Sequence, residues 1–463
     1  MTAFANANVR HLTGHAVATA DRRARSMVNW ALRDGPGLLS RSSGTMSGDP
    51  ITLLLFDESQ RTKARALEFQ DAIRSRGPLV RAAGGRIYAS AHYSVAKEVL
   101  SGEDFRSVNI DLMFSPPLRN VYRWSMRRGY TNIVEPPSLL VMEPPEHTRY
   151  RRLVSRAFTV RAVAQMRTKV TDTVHELLSR LDVKNSNAPV DLMEHYCGLL
   201  PVTVIAEIFG VPRNERERLR VLGDALAPSL DIGLSWQAHQ RVEKVAREFD
   251  SWLGGHIQRL RANPGDDLLS QLATISDGTD VLTETELKAT AGILLGAGFE
   301  TTVNLLGNGI KLLSDNTGQL YQLSEDPGLW PNAIEEILRY DPPVALTARI
   351  SLRDTEVAGV RIPARKLVML VGANHDADKF ANPHAFDVAR PNAKEHLAFG
   401  GGRHFCIGAA LARMEGEVGL RALFEAFPNM SLAPNLQWAP GRALRGWKHL
   451  PATLRPSNQR QAG

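Results

Sequence analysis

A chain of 463 residues with 43% apolar and 23% charged side chains can build a large core, which excludes a disordered or fibrous protein. Its two cysteines, Cys197 and Cys406, cannot make a disulfide framework and suit a reducing compartment. A formal charge of +7 is compatible with an acidic membrane or an acidic protein partner, but the basic residues are scattered and no nucleic-acid recognition motif goes with them.

Residues 1–50 are poor in periodic pattern, and "GPGLLSRSSGTMSGDP" (Gly35–Pro50) reads as a linker. They are expected to form a flexible or partly helical N-terminal extension ahead of a single domain over 51–463. There is no hydrophobic stretch of signal-peptide type, and no apolar run approaches the ~18 residues of a membrane span, so a cytoplasmic protein is expected. "GRIYAS" near Ile87 reads as a strand. A helix is expected to begin beyond Glu143-Pro144-Pro145, in "HTRYRRLVSRAF". "VTDTVHELLSRLD" and "VEKVAREFDSWLGGHIQRLR" are amphipathic. The longest helical pattern starts at a capping box, Thr283 with Glu286, and stays apolar to about Leu313. Roughly 30 residues at a 1.5 Å rise span ~45 Å, and a helix apolar on most sides belongs in the middle of a fold. "TEVAGVRI" and "KLVMLVG", around Pro363, read as a hairpin. The pattern predicts a mainly α protein with a long central helix and small β-sheets.

Three features carry chemistry. Cys197 lies in an apolar helical stretch and reads as a packed small hydrophobe. Cys406 lies in "FGGGRHFCIG", among Gly400, Gly401, Gly402 and Gly408 and just ahead of a helix, where free N–H groups favour a thiolate. Such a sulfur could be a nucleophile, a zinc ligand or a haem ligand. No second cysteine is nearby for zinc, and nothing aims His404 at the sulfur as a base. In the central helix, "GAGFETTVN" places Glu300 and Thr301 in an otherwise apolar segment, where an acid and an alcohol are costly to bury without a use.

"FGGGRHFCIG" resembles the haem-binding loop of the cytochrome P450 superfamily, Phe-Gly-x-Gly-x-x-x-Cys-x-Gly, at every fixed position. "GAGFETTVN", "EEILRYDPP" and "PPEHTRYRRLV" resemble other segments of that family in the right order, so the resemblance covers about residues 75–455 and is closest to the soluble bacterial members. It implies the cytochrome P450 fold and a haem-thiolate monooxygenase. The enzyme would insert one oxygen atom from O2 into a lipophilic small molecule, by hydroxylation or epoxidation. The implied cofactor is haem b (iron protoporphyrin IX), with Cys406 as axial iron ligand. His147, Arg151, Arg349 and His404 would hold its propionates, with Ala297 and Gly408 against the macrocycle. Gly296 and Gly298 would let the helix open or pass close to the haem. Thr301 would hold dioxygen and water, and Glu300 would supply protons. Glu336, Arg339 and Arg390 would form a buried structural triad. Leu112, Phe114, Leu294, Val344 and Ala345 would line the substrate pocket, under a roof at Pro212–Trp252. Electrons would come from an acidic ferredoxin and its reductase, docking at Arg152, Arg156 and Arg403, and the protein would be a monomer. A peroxygenase or isomerase on the same fold and a non-enzymatic haem sensor are the alternatives. The sequence departs from the family at Arg365, where glycine is usual, and at "ANHDAD".

Overall fold

The computed structural model describes residues 19–35, 49–56, 63–82, 85, 87–181, 189–231, 233–274, 281–439, 441 and 443–455. The central helix runs Glu284–Asp315, 32 residues. Thr283 Oγ1 accepts from the Glu286 N–H while Glu286 accepts from the Thr283 N–H, which closes the expected capping box. Twenty of its residues are buried, and its apolar window is the one such stretch, among the described residues, long enough to cross a membrane; it is a core helix. Around it pack Val160–Arg180, Leu199–Ile208, Arg216–Leu226, Trp236–Ala262, Trp330–Tyr340 and Ala409–Ala426.

Two glycines of the central helix admit neighbouring side chains. A Cβ at Gly296 would lie 3.1 Å from Ile133 Cδ1, and one at Gly298 3.0 Å from Ile205 Cδ1. Gly298 also lines the cavity described below, as expected, whereas Gly296 does not and serves the packing of Ile133.

A five-stranded sheet lies to one side, in the order Val80–Arg81, Ile87–Ser90, Leu367–Val371, Leu346–Ser351, Phe105–Ser107. "GRIYAS" and "KLVMLVG" are parallel neighbours in it, and two smaller apolar clusters cover its faces. The hairpin is not between "TEVAGVRI" and "KLVMLVG". It closes inside the former, Thr355–Val357 against Val360–Ile362, because Ala358 and Gly359 both take positive φ (49° and 77°). Arg365 also takes positive φ, 62°, so the turn that usually carries glycine is kept here with a side chain on it.

The linker at Gly35–Pro50 lies mostly outside the described residues. Of the N-terminal extension, residues 19–33 are helical, with Ser26, Asn29 and Asp34 buried against the main body.

Candidate functional site

The loop Phe399–Gly408 is folded by its own backbone. The Cys406 N–H donates to Phe399 O at 2.9 Å and the Phe405 N–H to Gly402 O at 3.1 Å. Gly402 has φ +63°, and a Cβ there would stand 2.4 Å from Leu100 O, so only glycine fits between this loop and the end of the Tyr93–Ser101 helix. At Gly408 a Cβ would meet nothing within 4 Å; that glycine borders open space.

That space is a cavity of about 400 Å³. Cys406 is exposed only in the sense that it opens onto this cavity. Burial among the surrounding atoms raises its thiol pKa. The Gly408 N–H, Arg151 and Arg413 pull the other way without prevailing. The helix N-terminus at Ala409 therefore does not secure a thiolate by itself, as the sequence had suggested. A coordinated metal ion would, since a ligating thiol is deprotonated outright.

Opposite the loop, the central helix presents Leu294, Ala297 and Thr301 to the same cavity, and the Trp330 helix is followed by Val344 and Ala345 at its wall. Thr301 Oγ1 donates to Ala297 O at 2.9 Å, so its hydroxyl is anchored one turn back. Glu300 is half-buried and does not line the cavity. Its pKa is pushed up to about 7 by burial and by the charge of Asp224, against a hydrogen bond from Asn304. It thus faces the Arg216–Leu226 helix, where a Cβ at Gly223 would collide with the Phe299 ring.

Arg349 and His404 also line the cavity. Arg349 is 7% exposed, and its Nη1 donates to Ala348 O (2.9 Å) and Thr347 Oγ1 (3.4 Å), with no carboxylate in hydrogen-bond reach. Burial holds its pKa below the usual arginine value. His147 packs against His404 with ring centroids 4.3 Å apart and planes tilted by 47°, and its buried Nε2 has no partner. Burial first, with the nearby Arg151 charge adding to it, pushes His147 down to about 4, so it stands neutral at physiological pH. Arg151 does not reach the cavity. Its Nη2 donates to Phe405 O at 2.7 Å, bracing the cysteine loop from behind.

Leu112 and Phe114 are not at the cavity wall. They sit on and just after the short helix Ile110–Met113, which is held away by Asp111 to Arg123 (2.7 Å), and Phe114 packs on Tyr122 at 5.3 Å. Leu140 lines the cavity in that part of the chain instead. Among the described residues, Pro212–Trp252 contributes no lining side chain, so its influence on the cavity is indirect. Glu143 went unread in the sequence. Its carboxylate accepts from the Ser107 N–H (2.7 Å), His404 Nε2 (3.3 Å) and Arg403 Nη1 (3.3 Å), and its pKa is held below the usual carboxylate value although burial opposes this. Four residues ahead of His147, it is the one acid in a cationic cluster; only the fold brings its partners to it.

Glu336, Arg339 and Arg390 are brought together in the core. Arg339 is bidentate to Glu336 (2.6 and 2.8 Å), and Arg390 Nε reaches both carboxylate oxygens (3.2 and 3.1 Å).

The donor set fits a haem. A cavity-facing sulfur, apolar walls, and the buried Arg349 guanidinium beside His404 match a flat, metal-bearing macrocycle that carries carboxylates; His147, with its unpartnered Nε2, lies against His404 and does not itself line the cavity.

The cytochrome P450 family model matches residues 328–430. The protein named cytochrome P450 140 in Mycobacterium tuberculosis is 48% identical over 94% of this chain and 98% of its own length. The 6-deoxyerythronolide B hydroxylase of Saccharopolyspora erythraea is 41% identical over 67% of this chain and 76% of its own. Among solved structures, CYP109E1 from Bacillus megaterium in complex with testosterone superposes with a TM-score of 0.74 at 29% identity, covering 84% of this chain and 97% of that one.

Proposed function

Because this chain belongs to the cytochrome P450 family and is a monooxygenase of that family, we propose that it oxygenates a lipophilic small molecule in the cavity between Cys406 and the central helix. The observation that carries this reading is that Cys406 and Thr301 open onto one cavity whose remaining wall is mostly aliphatic, including Leu294, Val344 and Ala345. Haem b, with Cys406 as its thiolate ligand, would supply dioxygen activation. Arg349, His404 and His147 would hold its propionates, while Ala297 and Gly408 leave room for the ring. The residues of the chain do the rest. Aliphatic side chains exclude water and hold an apolar substrate by burial. The Thr301 hydroxyl can release Ala297 O and pass a proton into the cavity. Glu300, near half-protonated at neutral pH, can give or take that proton from the side of the Arg216–Leu226 helix.

Thr301→Ala is expected to keep NADPH consumption but divert it to hydrogen peroxide, with product formation falling by roughly 10²-fold. The measurement is product and peroxide per NADPH, using a substrate chosen by its spin-state shift. An unchanged ratio removes Thr301 from proton delivery. Equal turnover with hydrogen peroxide alone would favour the peroxygenase alternative, and no turnover with either would favour a haem sensor.

For the electron donor the reading is an acidic ferredoxin with its reductase. Arg152 and Arg156 are exposed on the Glu146–Ser155 helix and the turn after it, the first directly after Arg151, which contacts the cysteine loop, and the second five residues beyond it. Arg403 is tied to Glu143 and leaves the patch. Reduction by such a ferredoxin should slow as salt rises past about 0.1 M, where the Debye length is ~10 Å, and Arg156→Glu should slow it further. A rate indifferent to both would place docking elsewhere. A cytoplasmic setting agrees with Cys197 being buried and Cys406 facing the cavity, neither paired in a disulfide.

A further inference from the structure

We propose that the helix at residues 19–33 is a positioning element of the substrate cavity: it pins the 229–235 segment, and through it the cavity wall at Val344 and Ala345. The inference rests on reading that cavity as the substrate site.

The linkage is continuous. Trp30 Nε1–H donates to Leu234 O at 2.8 Å, and Asp34 Oδ1, on the residue that ends the helix, accepts from the Leu234 N–H at 3.1 Å. Arg33 donates to Ser229 O, and the Trp30 ring meets Trp236 edge-on at 5.6 Å. The segment held in this way carries Asp231, whose Oδ1 accepts from the Ala443 N–H at 2.8 Å. Ala443 O in turn accepts from the Ala345 N–H at 3.0 Å, and Val344 bridges Leu444. Three steps thus lead from the helix to the wall.

A second path starts on the same helix. Ser26 Oγ donates to Glu243 Oε2 at 2.6 Å, and Asn29 Oδ1 accepts from Arg128 at 3.3 Å. Arg128 also pairs with Glu243 through Nη1 (2.8 Å) and with both oxygens of Glu135 through Nη2 (2.6 and 2.7 Å). That pair closes the loop that sets Ile133 against Gly292 and Gly296, flanking Leu294. Most of these groups are buried, so separating the helix from its partners would strand donors and acceptors away from water. The helix therefore holds Ser229, Asp231 and Leu234 in place, and through Asp231 and Ala443 it holds Ala345 at the wall. Releasing it loosens that wall, so an apolar ligand held against Val344 and Ala345 leaves faster.

The test uses the full chain loaded with haem, with phenylimidazole as probe in stopped-flow absorbance and backbone hydrogen exchange of 229–235 alongside. Asp34→Ala should raise the probe's dissociation rate about tenfold, and Trp30→Phe, which removes one donor and keeps the ring, about threefold. Exchange at 229–235 should rise in both while the thiolate absorption band stays in place. Dissociation within twofold of the parent in Trp30→Phe and in any folded Asp34→Ala overturns the inference and leaves the cavity reading standing. A parent protein whose spectrum ignores the probe overturns the cavity reading, and this inference with it.

Discussion

Cys406→Ala should abolish the strongly red-shifted band of the reduced carbon monoxide complex, whereas Cys197→Ala should leave it unchanged. The contrast follows from where the two sulfurs stand. Cys197 is fully buried beside Leu200 and Tyr196, and burial pushes its thiol far up, so it stays an inert apolar group. Cys406 opens onto the cavity, accepts a hydrogen bond from the Gly408 N–H and has Arg151 and Arg413 near enough to favour its anion. Alanine there removes the only cavity-facing sulfur among the described residues, so the loss should be complete rather than partial. Haem content and the reduced carbon monoxide spectrum are the measurements. If Cys197→Ala removed the band, or Cys406→Ala retained it, the ligand assignment would fail.

What the sequence made legible, and what it did not, divides along a physical line. Thr283 with Glu286, the apolar run behind them, and the glycines around Cys406 are local signals: each needs only neighbours in the chain, and each stands where expected. Arg339 and Glu336 are one turn apart, so their pairing was readable. Their complete burial was not, because it depends on carbonyls at 374–385. Leu112 and Phe114 failed for a related reason. Apolar side chains announce burial but not direction, and here Asp111 and Tyr122 decide the direction. The role of Glu143 and the docking of the 19–33 helix, itself expected as a partly helical extension, were unreadable because their partners lie far along the chain, at Ser107, Arg403 and His404 for the one and at Ser229–Glu243 for the other.

Glu336→Ala should destabilise the protein by about 3–5 kcal/mol, the cost of leaving buried charge without its counter-ion. Glu336 and Arg339 are both 0% exposed and Arg390 is 5% exposed. One carboxylate serves two guanidinium groups, and the surplus charge is spread over backbone carbonyls. Arg339 donates to Asn374 O, Pro383 O and Ala385 O, and Arg390 to Ala381 O, Asn382 O and Ala385 O. Without Glu336 two cations face each other in a dry site and the Asp387 N–H loses its acceptor. The exposed pair Arg167–Glu417, at 2.9 Å, is the control: Arg167→Ala should cost at most about 1 kcal/mol, since water replaces what is lost. The damage at Glu336 should also travel. Asn374 Oδ1 accepts from the Leu397 N–H at 2.8 Å, and Leu397 O accepts from the Gly400 N–H at 2.9 Å, so the meander held by the two arginines is what the cysteine loop hangs from. A folded fraction of Glu336→Ala should therefore lose haem faster than the parent while Arg167→Ala does not. Urea unfolding midpoints and haem transfer to an apo-globin acceptor measure the two effects. A midpoint shift for Glu336→Ala no larger than that of Arg167→Ala would show that the triad neither stabilises the core nor supports the loop.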